Sequence, residues 1–272
     1  MRILIGTILY LSLGVFAPFD IAQAQATPPS SSPATKDPQA VTILNAMLNA
    51  SGGPAAISSI QDFTGTGNIT YYWAGEQVQG SVTVQGMGIN NFRIDSNLSN
   101  GTRTWAVSGY GGVLITPDGQ RHGSPFYNLM TAGSMTLPQI RVAALLTDTS
   151  TAISCVGPVT VDGQQVTQVH FSPSISAPVP SNTISSFSNL GSFDVYINPT
   201  TSLIVRLSET VRSESDISIT YQHEIEFANY QQMGIVTVPL TITERVAGQK
   251  SWSIVLSGVT FNSGLSTGTF TP

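Results

Sequence analysis

Charged side chains are scarce in this sequence. Asp, Glu, Lys and Arg make up 9% of its 272 residues and the formal net charge is −5, whereas an average soluble protein has roughly 25% charged residues. A sparse, acidic balance argues against nucleic acid or an anionic membrane surface as a partner, because both bind through clustered Lys and Arg. Ser, Thr, Gln, Asn and Gly supply the polar surface instead.

Cysteine is almost absent, and a long apolar run occurs only near residue 1. Because Cys155 is the single cysteine, there is no internal disulfide and a hydrophobic core must hold the fold. Arg2, the apolar stretch 3–16 and the small residues at 22–26 form the pattern of a cleavable signal peptide. The stretch is short for a membrane span, which takes about 20 residues, although an uncleaved anchor is the alternative. We therefore expect residues 1–26 to be a signal peptide, and the mature chain to be periplasmic or secreted and without a membrane span.

Motifs of catalysis and of metal binding are missing as well. His122, His170 and His223 lie in different predicted elements, without the spacing of metal ligands. His223 is followed by Glu224, but neighbours on a strand point to opposite faces of the sheet. We predict no catalytic residue, no metal site and no cofactor. A serine triad assembled by folding stays open, because triads are recognised by geometry.

What is present is a polar leader followed by one β-rich domain. Residues 27–37 are rich in Pro and Ser and predict a flexible leader. Asp37 and Pro38 then form a helix start, as N-cap and first helical residue. Apolar residues at helical spacing continue to a Gly-Gly pair, which predicts a helix at 38–51. We expect residues 38–272 to be a single domain.

From residue 62 onward, apolar and polar residues alternate, which predicts antiparallel strands. The clearest strand is at 217–227, a second apolar helix is expected at 138–147, and a Pro/Ser loop is expected at 172–189. A wide sheet that is apolar on one face must cover that face. A second sheet, closure into a barrel, or helices inside a curved sheet would each do so, and the helix at 138–147 favours the third.

Several segments of the sequence carry a family resemblance. They are 193–206, 225–239, 259–272, and the helix at 38–51 with residues 91–95. Together they resemble outer-membrane lipoprotein carriers (LolA-like proteins) and the related bacterial lipoprotein-sorting group. In that family the first segment corresponds to a strand–turn–strand, and the last two correspond to the opening of the domain. The resemblance covers most of the chain after residue 26.

The resemblance implies a mainly β (α+β) fold. This fold is a curved, unclosed antiparallel β half-barrel with short helices as a lid over the apolar concave face. It also implies binding of an apolar small molecule, a lipid or lipoprotein acyl chains in that cavity. We expect the protein to be a monomer. In the family an arginine on an early strand holds the lid by hydrogen bonds. Arg93 stands at the matching position, and a surface arginine on an exposed strand is the alternative.

Aromatic residues in the strands are candidates for the cavity wall. Trp73, Phe92, Tyr221 and Phe227, together with Leu145 of the second helix, are predicted to line the cavity, and core packing is the alternative. Two other functions stay open. One is an enzyme built on the same scaffold, and the other is an interaction module that senses lipid or lipoprotein.

Overall fold

The computed structural model describes residues 34–109, 111–129, 137–174 and 189–271. The predicted signal peptide lies outside these residues, as do most of the predicted leader and most of the predicted Pro/Ser loop.

The helices are short. α1 spans Pro38–Ala50, α2 spans Pro54–Ser58 and α3 spans Pro138–Thr147. Asp37 caps α1 as predicted, because its carboxylate accepts a hydrogen bond of 2.8 Å from the backbone N–H of Gln39. Among the described residues, none of the helices has the length and apolar character needed to cross a membrane.

The described residues form thirteen strands, which occupy most of the chain after residue 61. They are β1 (Asp62–Trp73), β2 (Glu76–Met87), β3 (Asn91–Leu98), β4 (Gly101–Ser108), β5 (Gly111–Ile115), β6 (Arg121–Ser124), β7 (Thr151–Val161), β8 (Gln164–Pro173), β9 (Phe193–Ile197), β10 (Ile204–Arg212), β11 (Thr220–Met233), β12 (Val236–Val246) and β13 (Gln249–Phe261).

All thirteen strands belong to one antiparallel sheet, in the order β6-β5-β4-β3-β2-β1-β13-β12-β11-β10-β9-β8-β7. Strand β13 pairs with β1, so the last strand lies in the middle of the sheet. The sheet is curved and does not close into a barrel. This is the mainly β, unclosed antiparallel fold that the family resemblance implies.

One face of the sheet is apolar, and the helices cover it. Leu44 and Met47 of α1 and Val142 of α3 are completely buried, and they belong to the same hydrophobic cluster as Phe92 and Ile242 of the strands. Each fully buried side chain of this kind contributes about 1.5–3 kcal/mol. Helices inside a curved sheet therefore cover the apolar face, which is the third of the three predicted solutions.

The strand predicted at 217–227 begins only at Thr220. The carboxylate of Asp216 accepts hydrogen bonds from the backbone N–H and the hydroxyl of Ser218, at 2.9 and 2.7 Å. This local turn takes Ile217 and Ile219 out of the sheet, and both side chains are exposed.

One edge of the sheet is partly covered by the residues that precede α1. Lys36 forms a parallel bridge with Ile153 of β7. The backbone N–H of Asp37 donates to the carbonyl of Ile153 at 2.8 Å, and the N–H of Ile153 donates to Thr35 at 3.0 Å. Further along β7 the register shifts between Cys155 and Gly157. The other edge strand, β6, is four residues long.

Asp62 ties the end of the chain to β1. Its buried carboxylate accepts hydrogen bonds from the N–H and hydroxyl of Ser263 at 2.8 and 2.9 Å, from the N–H of Gly264 at 2.9 Å and from that of Leu265 at 3.1 Å. Burial raises the pKa of this carboxyl, but the hydrogen bonds more than offset the effect. The pKa of Asp62 is therefore below its ordinary value of 3.8.

We expect Asp62→Asn to lower the free energy of unfolding by about 1–2 kcal/mol, because one amide oxygen replaces two charged acceptors. Urea unfolding at pH 7 measures this loss. Since folding lowers the pKa of Asp62, the contribution of its carboxylate is present above pH 3.8 and is lost as the pH falls through the folded-state value. The free energies of unfolding of the wild type and of Asp62→Asn should therefore become equal at acidic pH. Asp118→Asn is the control, because the exposed Asp118 carboxylate bonds only within its own turn. Equal losses for both variants would contradict the prediction.

Candidate functional site

A cavity of about 410 Å³ opens on the concave face, beside the part that the helices fill. Its walls come from β1, β3, β4, β5, β6, β12 and β13, from the turn between β5 and β6, and from the loop after β10. This volume lies in the range of roughly 300–1,000 Å³ that is usual for small-molecule sites.

Aromatic side chains dominate the apolar part of the wall. All three tryptophans of the chain, Trp73, Trp105 and Trp252, line this one cavity, and Tyr71 and Leu114 lie among them. The strand register explains the grouping, because directly paired residues share a face of the sheet. Tyr71 pairs with Trp252, and Trp105 pairs with Leu114.

The base of this wall is packed against the hydrophobic core. The ring of Trp105 packs edge-on against Phe92, with 5.6 Å between the ring centroids, and Phe92 is fully buried in the core. Aromatic pairs of this geometry contribute about 0.5–1.5 kcal/mol beyond the area they bury. The indole of Trp105 is therefore held in place before any ligand arrives.

Polar side chains lie at the same cavity. They comprise four ionisable groups and three hydroxyls: Arg103, His122, Glu214, Glu244, Thr116, Ser124 and Ser251. The guanidinium carbon of Arg103 lies 4.9 Å from the centroid of the Tyr71 ring. The hydroxyls of Tyr71 and Ser96 are 3.2 Å apart. Burial raises the pKa of Tyr71, so its phenol is neutral.

A buried ionic cluster extends from the cavity wall to α3. His223 of β11 contacts Glu209 of β10 through Nδ1 at 2.7 Å, and Glu244 of β12 through Nε2 at 3.0 Å. Arg141 of α3 is buried above them, with its guanidinium carbon 4.1 Å from the centroid of the Phe193 ring. Glu244 belongs both to this cluster and to the cavity wall.

The charges in this cluster alternate. Burial alone would lower the pKa of His223. The hydrogen bonds to Glu209 and Glu244 have a larger effect in the opposite direction, and together they raise this pKa from 6.5 to about 10. Burial lowers the pKa of Arg141 to about 10, against the opposing effect of Glu209. At neutral pH the side chains of Arg141 and His223 are therefore both positively charged. Both ring nitrogens of His223 then donate hydrogen bonds to carboxylates. A histidine in this state has no lone pair for a metal or for proton abstraction.

Sequence reasoning missed this cluster, although a signal for it exists. His223 shares the buried face of β11 with Ile225, and Glu209 shares the buried face of β10 with Leu207, since these pairs are two residues apart. A charged residue at an apolar position of an alternating strand indicates a buried ionic contact. In the described part of the chain, no three His, Cys, Asp or Glu side chains are grouped so that they could hold a metal ion.

The residues predicted to line the cavity occupy different places. Trp73 lies in the wall and is 67% exposed, whereas Phe92 and Phe227 are buried in the core. Leu145 lies on α3 and packs against that core. Tyr221, at the start of β11, lines a separate polar groove. Their roles in binding stay predictions.

Arg93 lies on the face of the sheet opposite to the helices. Its neighbour Phe92 points into the core, so Arg93 points away from it. The guanidinium forms a salt bridge with Asp95 at 2.6 Å and donates to the carbonyl of Thr269 at 2.9 Å. There it fastens the C-terminal segment, whose Phe270 is buried.

The segment that follows β6 crosses to the other half of the sheet. It contains a 3₁₀ turn at Phe126–Asn128. The side-chain amide of Asn128 donates to the carbonyl of Arg212 at 2.7 Å, and the N–H of Arg212 donates back at 2.9 Å. The hydroxyl of Tyr127 donates to the carbonyl of Ser213 at 3.2 Å. This link fixes the end of β10, next to Glu214 of the cavity wall.

Comparison with known proteins relates the fold to solved structures. No family model and no curated protein matches the sequence. A LolA superfamily protein from Nitrosomonas europaea aligns with a TM-score of 0.50 and 12% identity, over 86% of this chain and 97% of that one. A DUF1329 family protein from Desulfovibrio piger aligns with a TM-score of 0.50 and 10% identity, over 88% of this chain and 98% of that one. The fold of this chain is therefore LolA-like, as the sequence resemblance implies.

Proposed function

We propose that this chain is an exported, non-catalytic protein that binds an acyl chain in the cavity on the concave face. Export is supported by the signal-peptide pattern of residues 1–26. The corresponding cellular role is lipid or lipoprotein trafficking in the periplasm. The LolA-like fold supports this role, because it provides an open concave face that can take up an apolar ligand and release it.

The observation that carries the proposal is the grouping of Trp73, Trp105 and Trp252 around one cavity. A chain of about ten methylenes buried there would gain roughly 8 kcal/mol. Association costs of about 4–15 kcal/mol oppose this gain. Binding is therefore expected to be reversible, as a carrier requires.

The buried ionic cluster supports a role without catalysis. Both ring nitrogens of His223 are engaged by Glu209 and Glu244, and the pKa of about 10 keeps the ring charged. A histidine acts as a general base only in its neutral form. At neutral pH the ring of His223 is therefore in a form that cannot accept a proton.

Titration with dansyl-undecanoic acid tests the proposal. Because every tryptophan of the protein lines the cavity, a dansyl group bound there should quench tryptophan emission by energy transfer. We expect saturable binding of one ligand per protein. Excess dodecanoate should compete for the cavity and abolish this energy transfer. A folded protein that shows no saturable transfer would overturn the proposed function.

A further inference from the structure

We propose that Arg103 binds the anionic head group, carboxylate or phosphate, of an acyl ligand held in this cavity. The inference rests on the proposed function, because it names the class of amphiphile that the same cavity takes.

Arg103 occupies a place where it can meet a ligand. It is the third residue of β4, and Trp105 of the cavity wall follows two positions later on the same face. Its guanidinium lies against the face of Tyr71, which fixes the side chain while it faces the cavity. A ligand with its head group at Arg103 would extend its tail along Trp105 and Leu114.

The charge of Arg103 is not neutralised by a neighbouring carboxylate. Other arginines of the sheet have such partners: Arg93 contacts Asp95 at 2.6 Å, and Arg245 contacts Glu226 at 2.8 Å. Among the described residues, no carboxylate lies within 4.0 Å of the guanidinium nitrogens of Arg103. A half-buried cation in an aromatic cavity gains most from an anion that the ligand itself brings.

The two glutamates of the cavity wall do not cancel the attraction of Arg103 for an anionic ligand. Glu244 accepts a hydrogen bond of 3.0 Å from the charged His223, which offsets its negative charge. Glu214 lies on the exposed loop after β10, where water screens its charge. Among the described residues of the cavity wall, Arg103 is the one arginine or lysine, so its permanent charge remains for a ligand.

The guanidinium also matches the proposed head groups in shape. Its planar fork binds carboxylate and phosphate oxygens through two parallel N–H donors. The tryptophans next to it suit an apolar tail, so that head and tail are recognised by adjacent parts of one wall. Fatty acids and lipids with an accessible phosphate share this chemistry.

The test compares dansyl-undecanoic acid with its methyl ester, which has the same tail and no charge. We expect the acid to bind the wild type about tenfold more tightly than the ester, which corresponds to about 1.4 kcal/mol. Arg103→Gln should weaken binding of the acid about tenfold and leave the ester unchanged. Arg103→Lys, which keeps the charge but loses the fork, should fall between them. If Arg103→Gln does not fold, the ratio of the affinities of Arg103→Lys for the acid and for the ester provides the same readout.

Lys250→Gln is the matched control. It removes one positive charge near the same end of the sheet, but Lys250 is exposed and stacks on Tyr72 outside the cavity. Its affinity for the acid should equal that of the wild type. Competition by dodecanoate, dodecyl phosphate and inorganic phosphate then identifies the head group and shows whether a tail is required.

The outcomes separate the two proposals. Equal binding of acid and ester by the wild type, unchanged in Arg103→Gln, would overturn the role of Arg103 and leave the proposed function standing. Saturable binding of neither ligand would overturn both. Weaker binding of the acid by Arg103→Gln alone, with the ester and Lys250→Gln unaffected, supports the anionic head group.

Discussion

A His223→Ala variant is expected to lose about 3–5 kcal/mol of unfolding free energy, because Glu209 and Glu244 would then be buried without their cation. His223 joins these two residues across three adjacent strands, β10, β11 and β12. Arg141 of α3 lies next to the same cluster, where the charge of Glu209 acts on its guanidinium. Urea unfolding at pH 7, followed by far-UV circular dichroism, measures the loss.

The pH dependence gives a second readout of the same variant. Folding raises the pKa of His223 from 6.5 to about 10, so the stabilisation by the protonated ring is complete below pH 6.5. It declines as the pH rises further and is lost as the pH passes through about 10. The difference in stability between wild type and variant should therefore shrink in alkali.

His170→Ala is the control for this prediction. His170 is half-exposed and contacts one carboxylate, Asp194, at 2.9 Å, and exposed ion pairs contribute about 0–1 kcal/mol. A His223→Ala variant no less stable than His170→Ala would show that the buried cluster does not hold the three strands together. A His223→Ala variant whose deficit is independent of pH would show that the ring is neutral in the folded protein.

The largest effect on binding is expected for Trp105→Ala. Tryptophans at the centre of binding sites commonly contribute 2 kcal/mol or more, so affinity for dansyl-undecanoic acid should fall about thirtyfold. Trp105 is the indole that Phe92 holds edge-on. Direct dansyl emission measures the affinity, because the variant lacks one energy donor.

Two further variants define the cause of that loss. Trp105→Phe keeps an aromatic ring against Phe92 and should retain most of the affinity. Tyr196→Ala removes an aromatic side chain from β9, on the face of the sheet away from the cavity, since its neighbours Val195 and Ile197 are buried in the core. Wild-type affinity in Trp105→Ala would place the acyl chain elsewhere on the molecule.

Local patterns predicted the elements well. Asp37 and Pro38 predict the start of α1, and the apolar stretch at 138–147 predicts α3 with the bounds that the structure has. Capping and periodicity depend on residues that are close in sequence. The need to cover one apolar face left three architectures open. The apolar helix at 138–147 favoured helices inside a curved sheet, and the family resemblance implied the same architecture.

Contacts across strands could not be predicted in the same way. His223 lies 14 residues from Glu209 and 21 residues from Glu244, so their meeting depends on the register of three strands. The alternation of apolar and polar residues predicted strands that contain Phe92 and Trp73, but it does not tell which part of the sheet the helices cover. Phe92 is buried in the core that the helices cover, whereas Trp73 lies outside that core in the cavity wall. The position of Arg103 next to Tyr71 depends on register for the same reason.

The residues before α1 also bear on self-association. An unclosed sheet has two free edges, and a free edge is a template on which a second molecule can add its own strands. Residues 34–37 occupy part of the β7 edge, the irregularity at 155–157 interrupts the ladder next to them, and Pro158 lacks an N–H to offer. A chain trimmed to begin at α1 would expose donors and acceptors of β7, and intermolecular ladders would then grow with protein concentration. This short segment therefore reduces the free edge that an unclosed sheet offers to a second molecule.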